Sequence, residues 1–300
     1  MTKDYAPIVL FVYNRPWHTQ QTVEALQKNL ESAYSDIIIY SDAAKTKEQE
    51  EPVLEVRKYI NSIRGFRSIK LIEQTENKGL ADSIITGVTE VVNKYGRIIV
   101  LEDDIVTSPY FLKYMNEALE FYKDEEKVMH ISGYVPELNI LDNNETFFIK
   151  PTTCWGWGTW KESWTFFEKN IASQEKLFSS DMIKDFNLNG AYDYWSHFQM
   201  NKSGELNTWA VFWYVSVFLK SGLSLHPNKS LVQNIGHDGT GENCTLSQVD
   251  EKELSSYSTW TFTNDYKVSY EAEILSYYKS KTNRTVMYKI KALIKKVFCK

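Results

Sequence analysis

Cysteine is scarce and poorly placed for covalent scaffolding: Cys154, Cys244 and Cys299 are odd in number, far apart and without a C-x-x-C pair. Disulfide frameworks and structural zinc sites need closer, paired thiols, so neither is expected, and a reducing cytoplasm fits. Long apolar runs are also missing. The longest, "WAVFWYVSVFL" from Trp209 to Leu219, falls well short of the roughly 20 residues a spanning helix needs. The chain enters an apolar strand at Ile8 after only Lys3 and Asp4 as charged residues, with no signal-type apolar region, so a cytoplasmic protein is expected. There is no cationic excess either. A net charge of −5 gives the body no reason to seek DNA or RNA, and no nucleic-acid partner is expected.

What is present is a globular composition, 300 residues with 43% hydrophobic and 24% charged side chains, without repeats or low-complexity linkers. Apolar, β-branched runs recur at Ile8 to Val12, Asp36 to Tyr40, Ile69 to Ile72 and Ile98 to Leu101, which read as fully buried strands. Helical spacing fills the gaps: Val23, Leu26 and Leu30; Val53, Val56 and Ile60; Ile84, Ile85, Val88, Val91 and Val92. Alternation of this kind predicts an α/β fold, a mostly parallel sheet with helices on both faces. Another helix is marked by Phe111, Met115, Leu119 and Tyr122, followed by short strands at Val128 to Ile131 and Phe147 to Ile149. One domain over 1–270 and a tail over 271–300 are expected.

Ligands of such sheets bind beyond the carboxyl ends of the strands. The polar segments expected there are "YNRP", "SDAAK", "ENKGLADS" and the triplet Glu102, Asp103, Asp104 that closes the fourth strand. On an extended strand Glu102 and Asp104 point one way and Asp103 the other. A hard cation such as Mg²⁺ or Mn²⁺ takes one or two protein carboxylates and completes its shell with phosphate and water. Asp104, with Glu102 behind it, suits that role, and Asp103 is left to accept from a ribose. The competing account is a solvated strand end near a helix N-terminus.

A strand ending in an acidic triplet after about 100 residues of β/α alternation resembles the GT-A type of nucleotide-sugar glycosyltransferase. Its "EDD" form is similar to that of the inverting N-acetylglucosaminyltransferase I group and its family-2-like relatives. The resemblance extends over roughly residues 6 to 245, as an order of motifs. It implies a Rossmann-like fold, a nucleotide sugar, UDP-linked by preference, as donor, and Mn²⁺ or Mg²⁺ as cofactor. It further implies that Arg15 of "FVYNRP" and its loop meet the nucleotide, that Asp42 of "YSD" hydrogen-bonds the base, and that Asn77 and Lys78 of "NKGLADS" form a donor-side loop. Asp42 is equally a turn or N-cap aspartate by its local sequence.

Sugar transfer needs a stabilised diphosphate leaving group and a carboxylate that takes the acceptor hydroxyl's proton. The resemblance puts that base in an Asp-Trp element beyond an aromatic-glycine segment, and "CWGWGTW" precedes "YDYW" here in that order, making Asp193 the candidate. Burial among Tyr192, Tyr194 and Trp195 is expected to raise its pKa. The alternative is a helix-starting aspartate, with Asp181 and Asp185 as weaker substitutes. Trp155 and Trp157 read either as core or as a wall for a sugar ring, the glycines between them permitting close approach. "HISGYVPELN", from His130 to Asn139, is placed by the resemblance near the donor sugar. In "LVQNIGHDGTGENC" three glycines flank His237, Gly236, Gly239 and Gly241, and the resemblance makes His237 a further metal ligand or phosphate contact; a surface histidine in a loop is the other reading.

The tail carries eight of the 34 Lys and Arg residues between Ser276 and Lys300 and no acid. Val286, Met287, Ile290, Leu293, Ile294, Val297 and Phe298 recur at helical spacing. A basic amphipathic helix of this kind suits peripheral contact with an anionic inner membrane face, or packing on the acidic domain. The expectation is therefore a metal-dependent, inverting hexosyl- or N-acetylhexosaminyltransferase acting on a saccharide or lipid-linked glycan in bacterial surface polysaccharide synthesis. A sugar-phosphate nucleotidyltransferase is the first rival, although "FVYNRPWHTQQ" has no glycine for a triphosphate loop. A non-catalytic carbohydrate-binding protein is the second.

Overall fold

A computed structural model describes residues 4–136, 138, 143–239, 253–271 and 274–280. The first four strands are β1 (Ile8–Val12), β2 (Asp36–Ser41), β3 (Ser68–Glu73) and β4 (Arg97–Glu102), with α1 (Pro16–Gln27), α2 (Glu50–Ile60) and α3 (Leu80–Tyr95) between them. They pair in parallel in the order β3-β2-β1-β4. The two faces follow from strand periodicity. Ile8, Leu10, Ile37, Ile39, Ile99 and Leu101 pack with Val23, Leu26, Val56 and Ile60 on one side, and Val9, Phe11, Ile38, Ile98 and Val100 pack with Ile84, Val88 and Val92 on the other. Each such fully buried aliphatic side chain contributes about 1.5–3 kcal/mol of hydrophobic stabilisation.

Beyond β4 come β5 (Ile105–Thr107), α4 (Phe111–Phe121), β6 (Val128–Ser132), β7 (Thr146–Ile149) and β8 (Trp157–Trp160). Short helices α5 (Lys161–Trp164), α6 (Ile171–Gln174) and α7 (Ser180–Phe186) lead to α8 (Tyr194–Ser203), α9 (Ala210–Leu219), β9 (Leu223–Pro227) and β10 (Val232–Asn234). Among the described residues the main sheet has eight strands in the order β3-β2-β1-β4-β8-β6-β9-β7. β8 runs antiparallel to both β4 and β6, and β7 antiparallel to β9. β10 pairs antiparallel with β5 in a separate ribbon.

Two local expectations are corrected. β3 is an edge strand whose residues are exposed or half-buried, none fully buried. Leu30 does not join the α1 face: the helix ends at Gln27 and Leu30 is 82% exposed in the following 3₁₀ turn. The domain boundary at 270 is crossed by packing, since Ile274 and Tyr278 are buried against Val135, Phe147 and Ile149. The amphipathic segment read over Val286 to Phe298 lies outside the described residues, as do Cys244 and Cys299. Among the described residues no helix is long and apolar enough to cross a membrane.

Candidate active site

The strand β4 stops at Glu102, and Asp103 and Asp104 form a turn into β5. The expected alternation of the three carboxylates therefore breaks after Glu102. Asp103 and Asp104 converge on one guanidinium: Arg15 Nη2 donates to Asp103 Oδ1 and, at 2.9 Å, to Asp104 Oδ2. Arg15 reaches them because it is the residue just before α1, which opens on Pro16, a position where proline's fixed φ favours a helix start. Thr22, about two helical turns further on, donates from Oγ1 to the Asp103 carbonyl at 2.8 Å and fixes the turn.

Both aspartates are buried, at 4% and 5% exposure, so solvent does little to screen their repulsion. Burial, reinforced by the charges of Asp104 and Asp103, pushes the Glu102 carboxyl up to about 8. Burial also raises Asp103, against the opposing pull of Arg15. With Glu102 held largely protonated behind them, Asp103 and Asp104 still set two carboxylates against one guanidinium, and a corner short of positive charge in this way fits a divalent cation. Among the described residues no group of three or more His, Cys, Asp or Glu side chains is arranged to hold a metal by itself. Asp103 and Asp104 match instead the smaller donor set that Mg²⁺ accepts when phosphate oxygens and water supply the remaining ligands.

The donor-side loop is held by Asp42. Its carboxylate accepts from the backbone N–H groups of Ala43, Lys78 and Gly79, each at 2.9 Å, and from Asn77 Nδ2 at 3.2 Å. Asn77 Nδ2 also donates to the Ala43 carbonyl at 2.7 Å. Asp42, Asn77 and Lys78 are thus brought together, but as a clamp between the end of β2 and the start of α3. A carboxylate offers about four acceptor positions, and four donors occupy them here, so the direct base contact expected of Asp42 gives way to a loop-organising role. Arg57, which the sequence did not single out, reinforces the clamp by donating to the carbonyls of Gln74 at 2.7 Å and Asp42 at 3.3 Å.

A strap from the C-terminal third covers the acidic corner. Asn234 of β10 pairs with Ile105, and Ile235 N donates to the Asp104 carbonyl at 2.9 Å. A Cβ on Gly236 would overlap Asp104 Oδ2 and come within 2.9 Å of Arg15 Nη1, so this position takes only glycine. His237 meets Trp155 edge to face at 5.6 Å between ring centroids, and His18 Nε2 lies 3.1 Å from Asp238 Oδ2. His237 and Trp155 therefore pack on each other next to Gly236. His18, and the contact of Gly236 with Asp104, escaped the sequence reading, because only the fold brings the strap to α1.

Trp157 is corrected. It lies on β8, is 1% exposed, and stacks on Trp209 at 5.4 Å and on His130 at 5.4 Å, so its faces belong to the core and no sugar reaches them. His130 is structural as well: it accepts from Trp213 Nε1 at 3.0 Å and faces the Thr153 carbonyl at 3.0 Å. Asp193 is exposed and caps α8, accepting from Ser196 N at 3.0 Å and Asn187 Nδ2 at 3.1 Å. Partial burial pushes its carboxyl up, but the hydrogen bonds from Ser196 and Asn187 outweigh it and the net shift is downward. The expected elevation by aromatic burial is wrong, since Tyr192 and Tyr194 turn toward Tyr278 instead. A separate cavity of about 590 Å³, lined by Tyr5, Arg97 and Phe121 among others, opens at the strands' opposite end, by the starts of β1 and β4.

Residues 8–178 match the profile of Glycosyl transferase family 2; Asp193 and the strap lie beyond that span. No curated protein matches the chain in sequence. Among solved structures, mannosyltransferase PcManGT from Pyrobaculum calidifontis in complex with GDP-Man and Mn2+ is similar with a TM-score of 0.41 and 10% identity, over 73% of this chain and 70% of its own. S. aureus TarS is similar with a TM-score of 0.42 and 9% identity, over 75% of this chain and 36% of its own. For S. aureus TarS 1-349 the TM-score is 0.40 at 9% identity, over 75% of this chain and 59% of its own. The profile match runs from β1 past the acidic corner through more than half of the chain, on a mostly parallel sheet with that corner at its carboxyl edge, and the chain belongs to Glycosyl transferase family 2, with the Rossmann-like GT-A fold.

Proposed function

We propose that this glycosyltransferase is metal-dependent and inverting, and that it moves a sugar from a nucleoside-diphosphate donor to a saccharide or lipid-linked glycan hydroxyl. The observation that supports this reading most is the pair of buried aspartates on one guanidinium at the carboxyl edge of β4. Asp104 and Asp103 would hold Mn²⁺ or Mg²⁺, with Glu102 behind them and His237 beside them. When bound, the cation offsets the charge that develops on the departing diphosphate. The donor's nucleotide lies along the loops of Arg15, Asp42 and Asn77 to Gly79, where backbone groups fixed by Asp42 orient it.

Asp193 is the proposed base. Held ionised by Ser196 and Asn187, it accepts the acceptor's hydroxyl proton as that oxygen bonds to the anomeric carbon and the carbon–phosphate oxygen bond breaks, its electron pair leaving with the diphosphate. Its downward pKa makes it a weak base that is fully deprotonated at neutral pH, so positioning has to contribute more than basicity. Trp155, half-buried beside His237, offers an aromatic face for a sugar ring. The C-terminal basic segment is proposed as a peripheral contact with an anionic membrane carrying the acceptor.

The test is a thermal-shift screen against UDP, GDP, CMP and dTDP sugars with and without Mn²⁺, run on the wild type and on Asp104→Asn. The expected result is a metal-dependent shift with one nucleotide class in the wild type, which Asp104→Asn removes together with turnover. An Asp104→Asn protein that keeps both refutes the assignment. A carbohydrate-binding protein without catalysis would instead bind glycans independently of metal and release no nucleotide.

A further inference from the structure

We propose that Arg15 is the resident counter-cation of the acidic corner, and that a divalent cation and this guanidinium compete for Asp103 and Asp104, coupling metal binding to donor binding. The proposal rests on the reading of a metal-bound nucleotide donor. It starts from a geometric fact: one nitrogen, Arg15 Nη2, contacts both carboxylates, with Asp104 at 2.9 Å. Its side chain is only 15% exposed, and those of Asp103 and Asp104 are 6% and 8% exposed. With so little water between them, the guanidinium neutralises the pair that a cation would use.

Arg15 is also poorly satisfied in this position. Its Nη1 is buried and has no hydrogen-bond partner among the described residues, although a guanidinium carries five donors in a planar fork. An unfulfilled buried donor is unfavourable, so the arrangement is held by charge and not by complete bonding. A Cβ at Gly236 would lie 2.9 Å from Nη1, so that residue brings no side chain to it. Diphosphate oxygens match the bidentate geometry of the fork.

Two cationic groups cannot share the aspartate pair without repulsion. A divalent ion arriving alone must therefore displace Arg15 from both of its carboxylate partners. Arriving with a nucleoside diphosphate, it leaves the guanidinium a new partner of the right shape. Metal and donor therefore strengthen each other's binding, and by linkage the coupling is reciprocal. Neutral replacement of Arg15 removes the competitor and the coupling together.

The experiment titrates Mn²⁺, followed by the electron-spin resonance of the free ion, into wild type, Arg15→Gln and Arg15→Lys, each with and without the nucleoside diphosphate selected by the screen above. Wild type is expected to bind Mn²⁺ at least tenfold more tightly when nucleotide is present. Arg15→Gln is expected to bind Mn²⁺ alone at least tenfold more tightly than wild type and to lose most of the nucleotide enhancement. Arg15→Lys keeps a charge without the fork, folds with the corner compensated, and should retain the competition while losing part of the enhancement. Equal Mn²⁺ affinity in wild type and Arg15→Gln, with metal-dependent donor binding intact, overturns this proposal alone. Absence of Mn²⁺ binding in every protein, with nucleotide present, overturns the metal reading and this proposal with it.

Discussion

Ser196 binds the carboxylate of Asp193 through two atoms, donating from its backbone N–H at 3.0 Å and from its hydroxyl at 2.5 Å. This is the geometry of a helix N-cap, and it makes the aspartate both a structural element of α8 and an ionised group at the surface.

Asn caps helices about as well as Asp, so Asp193→Asn separates the two roles. We expect stability within about 0.5 kcal/mol of wild type and turnover reduced at least a hundredfold, with nucleotide binding unchanged. Ser196→Ala should instead lower the urea midpoint and leave turnover within a few-fold. Full activity in Asp193→Asn would remove it as the base.

The two tryptophans of "CWGWGTW" should respond oppositely. Trp157→Ala empties a site packed by Trp164, Trp209 and Trp213 and is expected to cost about 3–5 kcal/mol in urea unfolding. Trp155→Ala should cost about 1 kcal/mol or less while raising the KM for one substrate at least fivefold. Equal destabilisation by both would mean that Trp155 too is core.

Acid should weaken the fold through two buried histidines. Burial, with a contribution from His226, lowers His130 from 6.5 to about 3, and burial lowers His226 from 6.5 to about 4. Both are neutral when folded, and the unfolded chain takes up their protons first as pH drops. Their stabilisation is complete above about 6.5, the unfolded value, and declines below it by up to about 1.4 kcal/mol per pH unit for each histidine, until the folded values near 4 and 3 are passed. Urea midpoints at pH 7.5 and 5.0 should differ accordingly; identical midpoints would show that the pair is not held neutral.

The parallel half of the fold was legible because buried strands and amphipathic helices carry their period in the chain: Ile8–Val12 was located to the residue, and β2, β3 and β4 to within one or two at either end. β8 was not. Its glycines suggested a ligand's approach, whereas Gly158 is required by the sheet itself, where a Cβ would fall 2.9 Å from the Ile98 carbonyl and from Met115. Composition does not distinguish these two uses of glycine. The acidic triplet was legible as a site because three adjacent anions at a strand end demand a partner, but the partner's identity was not. Arg15 was assigned to nucleotide, and only the turn at Asp103 and Asp104 shows that it serves the carboxylates first. Gly236 and His18 carry no local signal, since their meaning comes from contacts across most of the chain.

The bond from Ile235 to the Asp104 carbonyl joins two points that lie far apart along the chain. During synthesis the first four strands can assemble long before that contact is available, and the acidic turn must wait, open to water, for the C-terminal third to emerge. Contacts of such long range close slowly. A nascent chain arrested after α9 would thus display the parallel strands β1 to β4 without a finished acidic corner, and its maturation would be timed by arrival of β10.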